Sequence, residues 1–455
     1  MNNIVWSIKD SESIKLAPIH SWSITALRFI DGIIQYLRVF FDIPVLGGDL
    51  YEFSSKGLLK FILDKINSKS NEKYVEFRII HIPMCLILSA ELSKKILLSK
   101  YVKRGRIYNR LTDFFGFGIF TSNVHDTWFH QRKAIVKIFH KRYLDSIAPS
   151  LHRYMFDVLD RELLAYTEFD LSMLLSQMGL IAFCKIIFGV DISDNYKDLI
   201  IPLNRLLLYI NGAVEPFVFP MDPLYQEFIK DKKIVHDWIR NLIKLADNPN
   251  CHPVIVEEFK NNHNQDDTEL IEFISSLIFA GHETTAKLMT AIIYNMCCHP
   301  EYIEKLNSEY GRNNNHYLKN IIKEGTRLYP SAWILGREAL QDFIIDDIEF
   351  HKGTQFIISP LIFLRSEEIW GPTAEEFIPD RFDLMTDSEK ETFIPFVVGP
   401  ESCPGKAFAE LESAIVISNL FYHYKVEILE HNIQPASAVT FRLFDKLPVK
   451  INRLR

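Results

Sequence analysis

Cysteine is scarce in this chain of 455 residues: Cys85, Cys184, Cys251, Cys297, Cys298 and Cys403 are all there is, with no Cys-x-x-Cys pair. That density excludes a disulfide framework and fits a reducing compartment. The start, Met-Asn-Asn-Ile-Val-Trp-Ser-Ile-Lys-Asp, lacks the basic and then apolar layout of a secretory signal. No clean membrane span is present either. Trp22 to Val45 is broken by Arg28, Asp31 and Arg38, and Leu171 to Val190 carries Ser172, Ser176, Gln177 and Lys185, so both read as amphipathic or buried helices. The expectation is a cytoplasmic protein, with peripheral membrane contact open to an amphipathic segment within residues 1–48. Gly/Ser or Pro-rich linkers, charge blocks and short repeats are missing as well. Composition therefore marks no division, although length alone allows two or three domains. A net charge of -7 argues against nucleic acid as a partner.

What is plentiful is phenylalanine, 34 residues, within an otherwise ordinary 48% hydrophobic and 24% charged composition. Such a supply suits a large apolar interior or pocket. Periodicity near 3.6 predicts helices at about 48–65, 90–99, 126–139, 143–164, 170–188, 197–210, 224–246, 267–298, 300–310, 316–327 and 405–419. Strand-like runs are few, at roughly 74–81, 83–88, 334–338, 343–345, 355–359, 424–429 and 447–452. The fold class is mainly α with a small β region. Ala332 to Phe393 is punctuated by Pro360, Pro372 and Pro379, and so long an irregular stretch must be held by side chains or be functional.

Two segments carry chemistry. In Phe396-Val-Val-Gly399-Pro-Glu401-Ser-Cys403-Pro404-Gly405-Lys406, Gly399 permits a tight turn and Cys403 stands just ahead of a helical run from Lys406 to about Leu420. Pro404 suits the first helical position, and the N–H groups of a helix start favour a thiolate. Gly405 lets something flat and bulky approach the backbone. Taken alone, the segment also fits an inert buried cysteine at a helix cap. In the long helix, Leu270, Phe273, Leu277, Ala280, Thr284 and Leu288 share one face, interrupted by Ala280-Gly281-His282-Glu283-Thr284-Thr285. A buried hydroxyl left unpaired costs ~1–3 kcal/mol, so Thr284 needs a partner. Either it bonds back to the Ala280 carbonyl, or a widened turn exposes both groups to a pocket.

Together these segments resemble the haem-thiolate monooxygenases of the cytochrome P-450 superfamily, from about residue 50 to the C-terminus. Ala280 to Thr285 is similar to the family's oxygen-binding helix, Glu324-Gly-Thr-Arg327 to its Glu-x-x-Arg helix, Pro379-Asp-Arg381-Phe382 to the stretch whose arginine joins that pair, and Phe396 to Gly405 to its cysteine loop. The resemblance implies a single cytochrome P-450 domain over 1–455, haem b as cofactor, and Cys403 as iron ligand. It implies further that Trp128, Arg132 and Arg337 reach the haem propionates, that Ala280, Thr285, Phe396, Gly399 and Gly405 line the cofactor, and that Glu283 and Thr284 relay protons. Partners so implied are O2, a lipophilic small molecule and a separate reductase or ferredoxin, since no flavin or iron–sulfur domain fits in the chain. Glu324 and Arg327, three apart on a helix, with Arg381 can form a charged lock; a solvated surface pair is the plainer alternative.

One residue departs from the family pattern. Two positions before the cysteine, where an arginine or histidine usually faces a propionate, stands Glu401. Like charges about 5 Å apart at an effective dielectric near 20 repel by ~3 kcal/mol, so haem binding is expected to survive weakened or rearranged, or Glu401 to turn to solvent. A haem-binding protein with peroxide-dependent or lost turnover is the alternative; Glu283 and Thr284 count against peroxide use, and Glu401 keeps lost turnover open. Pocket walls are expected from Phe114 to Phe120, from Asn211 to Asp222 and from the face around Phe279 and Ala280, which favours lipophilic ligands over sugars or nucleotides.

Overall fold

The computed structural model describes residues 72–79, 82–122, 124–194, 196–213, 223–246, 267–309, 315–431, 436–437, 440–443 and 446–454. The N-terminal segment over 1–48, the helix expected at 48–65 and the loop beyond Ala213 lie outside them. Helices form wherever the 3.6 periodicity is sustained: α1 (Ala90–Leu98), α2 (Thr112–Phe115), α3 (His125–Ile138), α4 (Lys141–Ala165), α5 (Leu171–Phe188), α6 (Lys197–Ala213) and α7 (Pro223–Ala246). After these come α8 (Asp267–Cys298), α9 (Pro300–Glu309), α10 (His316–Leu328), α11 (Pro360–Leu364), α12 (Glu367–Trp370), α13 (Asp387–Thr392) and α14 (Lys406–His423). The short α2, α11, α12 and α13 carry too few turns to show a period, and sequence reading misses them.

Strands β1 (Tyr74–Ile79), β2 (Ile82–Ile87), β3 (Val102–Arg104), β5 (Leu335–Ala339) and β8 (Gln355–Ile358) make a five-stranded sheet in the order β1-β2-β8-β5-β3. Among the described strands only β2 and β8 pair in parallel. A second sheet joins β4 (Glu168–Asp170), β12 (Pro448–Arg453) and β9 (Tyr424–Ile428), while β6 (Phe343–Ile345) with β7 (Ile348–Phe350) and β10 (Ala436–Ser437) with β11 (Phe441–Arg442) form small ribbons. A large helical core is flanked by a smaller aromatic one around Phe343, Phe350, Phe356 and Trp370, which ties the first sheet to the irregular stretch.

Helix α5 is mostly apolar and is the one described helix long and apolar enough to cross a membrane; 83% of it is buried inside the fold. It packs on α8 through two reciprocal seats. A side chain at Gly281 of α8 would start 2.2 Å from the Phe183 ring of α5, and one at Gly179 of α5 would start 3.1 Å from the His282 carbonyl of α8. Each helix lacks a Cβ where the other presses in, so the axes approach closely.

The charged lock is real and buried. Arg327 donates from Nε and Nη2 to the two Glu324 oxygens (2.7 and 2.9 Å), and Arg381 Nε and the Ile378 N–H donate to Glu324 Oε1 (3.0 and 2.8 Å). Glu324 and Arg327 have no exposed side-chain surface, which rules out the surface-pair reading. The remaining guanidinium donors cap loop carbonyls: Arg327 those of Leu364, Ala374 and Glu376, and Arg381 that of Thr373. Carbonyls that would otherwise be orphaned inside the irregular stretch thus find charged donors, from Arg327 on α10 and from Arg381 within the stretch itself.

Candidate active site

Cys403 sits at the base of α14, in a loop whose shape is set by its own backbone. Its N–H donates to the Phe396 carbonyl (2.8 Å), and the Ser402 N–H to that of Gly399 (3.0 Å). Gly399 adopts φ 83° and Val397 φ 63°. The second is costly for a β-branched residue, and such strain persists where the surroundings over-determine the backbone, often at functional sites. The helix begins at Lys406 with Gly405 as its N-cap, so Pro404 lies in the turn rather than at the first helical position. The N–H groups of Gly405 and Lys406 bond to the sulfur, as a helix start should. Burial nevertheless pushes the free thiol above its ordinary value against those N–H groups and Arg132.

Although surrounded by protein, Cys403 keeps accessible surface. A Cβ on Gly405 would lie 3.9 Å from that sulfur with nothing nearer, so the missing side chain leaves room beside it. Phe396 flanks the loop with Lys406 Nζ 5.6 Å from its ring centre. These features fit a flat, metal-bearing group bound through the thiolate.

Cations gather at the same loop. On α3, Trp128 and Arg132 are one turn apart, and Arg132 Nη2 donates to Ser402 Oγ (3.4 Å). Arg337, on β5, is buried with Nη2 3.0 Å from Glu401 Oε2. Glu401 therefore does not turn to solvent. Its Oε2 also accepts from Nε of Arg104 (3.3 Å), a residue that sequence reading passed over. The guanidinium of Arg104 lies 5.9 Å from the Trp128 ring centre, and its Nη1 donates to the Ile119 carbonyl. The available signal was the departure itself: a carboxylate where a cation is expected calls for a second cation elsewhere.

Helix α8 runs unbroken from Asp267 to Cys298, and Thr284 Oγ1 donates to the Ala280 carbonyl at 2.7 Å. Of the two arrangements left open by the sequence, this is the back-bonded one, without a widened turn. The Thr284 carbonyl accepts from Ser331 Oγ (2.7 Å), and Thr285 is buried. Glu283, also buried, lies 3.9 Å from Lys287 Nζ, which donates to Ser172 Oγ (3.2 Å). His282 bonds the Ile278 carbonyl through Nδ1 (2.6 Å), burial keeps it neutral, and its Nε2 finds no partner among the described residues.

Helix α14 packs against α8, so the thiol and Thr284 belong to adjoining elements. Between α14 and α5 lies a residue that sequence reading also missed. Glu412 is fully buried, neither carboxyl oxygen has a partner among the described residues, and burial pushes its pKa up to about 8. On α8, Phe279 lies 5.1 Å from Phe115 and 6.4 Å from Phe120, ring centre to ring centre, so these three expected wall residues pack together. Phe117, expected in the same wall, points to solvent.

A mainly helical fold, a cysteine at a helix start and a buried Glu-x-x-Arg lock define a haem-thiolate class. The sequence model of the cytochrome P450 family matches residues 43–450, and the chain belongs to that family: it is a P450-type monooxygenase, a haem protein that works with O2, a substrate and a redox partner. A cytochrome P450-like protein, L532, of Acanthamoeba polyphaga mimivirus is 49% identical over 468 aligned positions, covering 100% of this chain and 99% of its own length. Cytochrome P450 4c21 of Blattella germanica is 24% identical over 393 positions, 75% of this chain and 78% of that one. A cytokinin hydroxylase of Arabidopsis thaliana is 33% identical over 195 positions, 40% of this chain and 38% of that one.

Proposed function

We propose that the protein inserts one atom of O2 into an unactivated C–H or double bond of a lipophilic small molecule, with electrons from a separate reductase or ferredoxin. The observation that carries this reading is Cys403: a thiol at a helix start, surrounded by protein yet keeping accessible surface, with the N–H groups of Gly405 and Lys406 and the charges of Arg132 and Lys406 acting on it. Haem b bound through that thiolate would supply O2 binding and O–O cleavage. Cys403 would hold the metal, with Phe396, Gly399, Gly405, Ala280 and Thr285 lining the group, and Trp128, Arg132 and Arg337 would take its carboxylates.

The chain's own part in the chemistry is proton delivery and exclusion of water. Thr284 rests on the Ala280 carbonyl, so its hydroxyl must turn away from that carbonyl to donate to a bound molecule, exchanging one hydrogen bond worth ~1 kcal/mol for another. Glu283, enclosed beside Lys287, is positioned on the same turn to resupply that proton. The Phe115, Phe120 and Phe279 cluster favours an apolar substrate and keeps water from the reacting carbon.

The reduced carbon-monoxide spectrum tests the core of this. A Soret band near 450 nm is expected from the purified protein, and Cys403→Ser should abolish it; its absence from the wild type removes the haem-thiolate assignment. Turnover driven by NAD(P)H through a surrogate reductase then supports the O2-activating reading, and turnover with peroxide alone refutes it.

A further inference from the structure

We propose that Arg104 supplies the cation that the family pattern places two residues before the cysteine, and that Glu401 is the counter-ion joining Arg104 to Arg337 at the propionate end of the haem site. The proposal rests on the haem-thiolate reading above and adds two positioning residues to it.

Strand β3 pairs with β5 so that Arg104 stands directly opposite Arg337. Directly opposed residues of an antiparallel pair project to the same side, and like charges there repel. Both side chains are largely enclosed, 10% and 5% exposed, where an unpaired charge is strongly unfavourable. One carboxylate oxygen resolves the conflict: Glu401 Oε2 lies 3.3 Å from Arg104 Nε and 3.0 Å from Arg337 Nη2. Arg104 is fixed further by the Ile119 carbonyl and the Trp128 ring, on the side of the loop where Arg132 meets Ser402. Three guanidinium groups and one carboxylate leave a net charge of two positive, which matches the two carboxylates of the haem. An arginine at position 401 would put four guanidinium groups together with no carboxylate among them.

The inference predicts a reciprocal pair. Three variants, Arg104→Gln, Glu401→Arg and the double exchange Arg104→Glu/Glu401→Arg, are prepared haem-loaded and compared for haem loss to excess apomyoglobin and for ferric/ferrous midpoint potential. Arg104→Gln should lose haem ~10-fold faster and shift the potential downward, because a positive charge near the metal favours the reduced state. Glu401→Arg, although it restores the family's residue type, should lose haem at least as fast as Arg104→Gln, and the double exchange should return to within about 3-fold of wild type. Where Glu401→Arg takes up no haem at all, recovery in the double variant decides the matter. Equal or better retention in Glu401→Arg would show that Glu401 competes with the propionates, and overturns the proposal. So does an unmoved potential in Arg104→Gln, since a merely structural residue leaves it in place. A wild type without the band near 450 nm would fail the haem-thiolate reading itself, so the two failures are distinguishable.

Discussion

Glu412→Gln should make this protein more stable at pH 8 while leaving it nearly unchanged at pH 5. The carboxyl has no polar partner among the described residues and no exposed surface, so the charged form is the one penalised. Burial raises its pKa from 4.5 to about 8. Between those values the unfolded chain has released the proton and the native protein has not, so the native state binds more protons and stability falls as pH rises. Below about pH 4.5 both states are protonated, and the term vanishes. At ~1.4 kcal/mol per pH unit, crossing the whole window costs on the order of 5 kcal/mol. For a chain of this size, with ~2 cal/mol/K per residue of unfolding entropy, that is roughly 5 °C in midpoint temperature. Thermal melts of haem-loaded wild type and Glu412→Gln, at one scan rate from pH 5 to pH 8, should therefore diverge by about that much, the glutamine variant melting higher at the alkaline end. Parallel curves would refute the reasoning, since they would mean that the native carboxyl is ionised or hydrated.

Two further outcomes follow from the geometry. Glu324→Ala strands the Arg327 guanidinium in the core and releases the Arg381 and Ile378 contacts, so it should cost ~3–5 kcal/mol and expose the stretch from Leu364 to Arg381 to limited proteolysis as one unit; a melt within ~1 kcal/mol of wild type would contradict the lock. Thr284→Val keeps the shape and removes the hydroxyl, so product formed per NAD(P)H should fall at least ~10-fold with hydrogen peroxide rising in its place, while haem content stays constant; unchanged coupling would exclude Thr284 from proton delivery.

Elements that repeat a period over three turns or more were legible from the residues alone. The helices from α3 to α10 and α14 begin and end within a few residues of where the 3.6 pattern puts them, because each buries one stripe or, for α5, every face. What escaped were β3, β4, β7, β10 and β11, two or three residues each and too short to show alternation; β3 and β4 exist because the distant strands β5 and β12 pair with them. Arg104 was hidden for the same reason. It lies in the polar run Lys103-Arg104-Gly105-Arg106, and only the pairing of β3 with β5 brings it to Arg337 and Glu401. Glu324 with Arg327 was readable because helical spacing makes them neighbours, but the carbonyls they serve, 37 to 49 residues further on, were not. Thr284 needed coordinates to choose between two arrangements of similar energy.

The two glycine seats between α5 and α8 act as a keyed joint. Sliding one helix by a residue, or turning it by a third of a turn, would drive a side chain into Phe183 or into the His282 backbone, so axial offset and azimuth are both indexed. The position of Thr284 on α8 is thereby set in part by α5. A side chain added at Gly179 should therefore displace α8 relative to α5, and Thr284 with it, at a cost in packing.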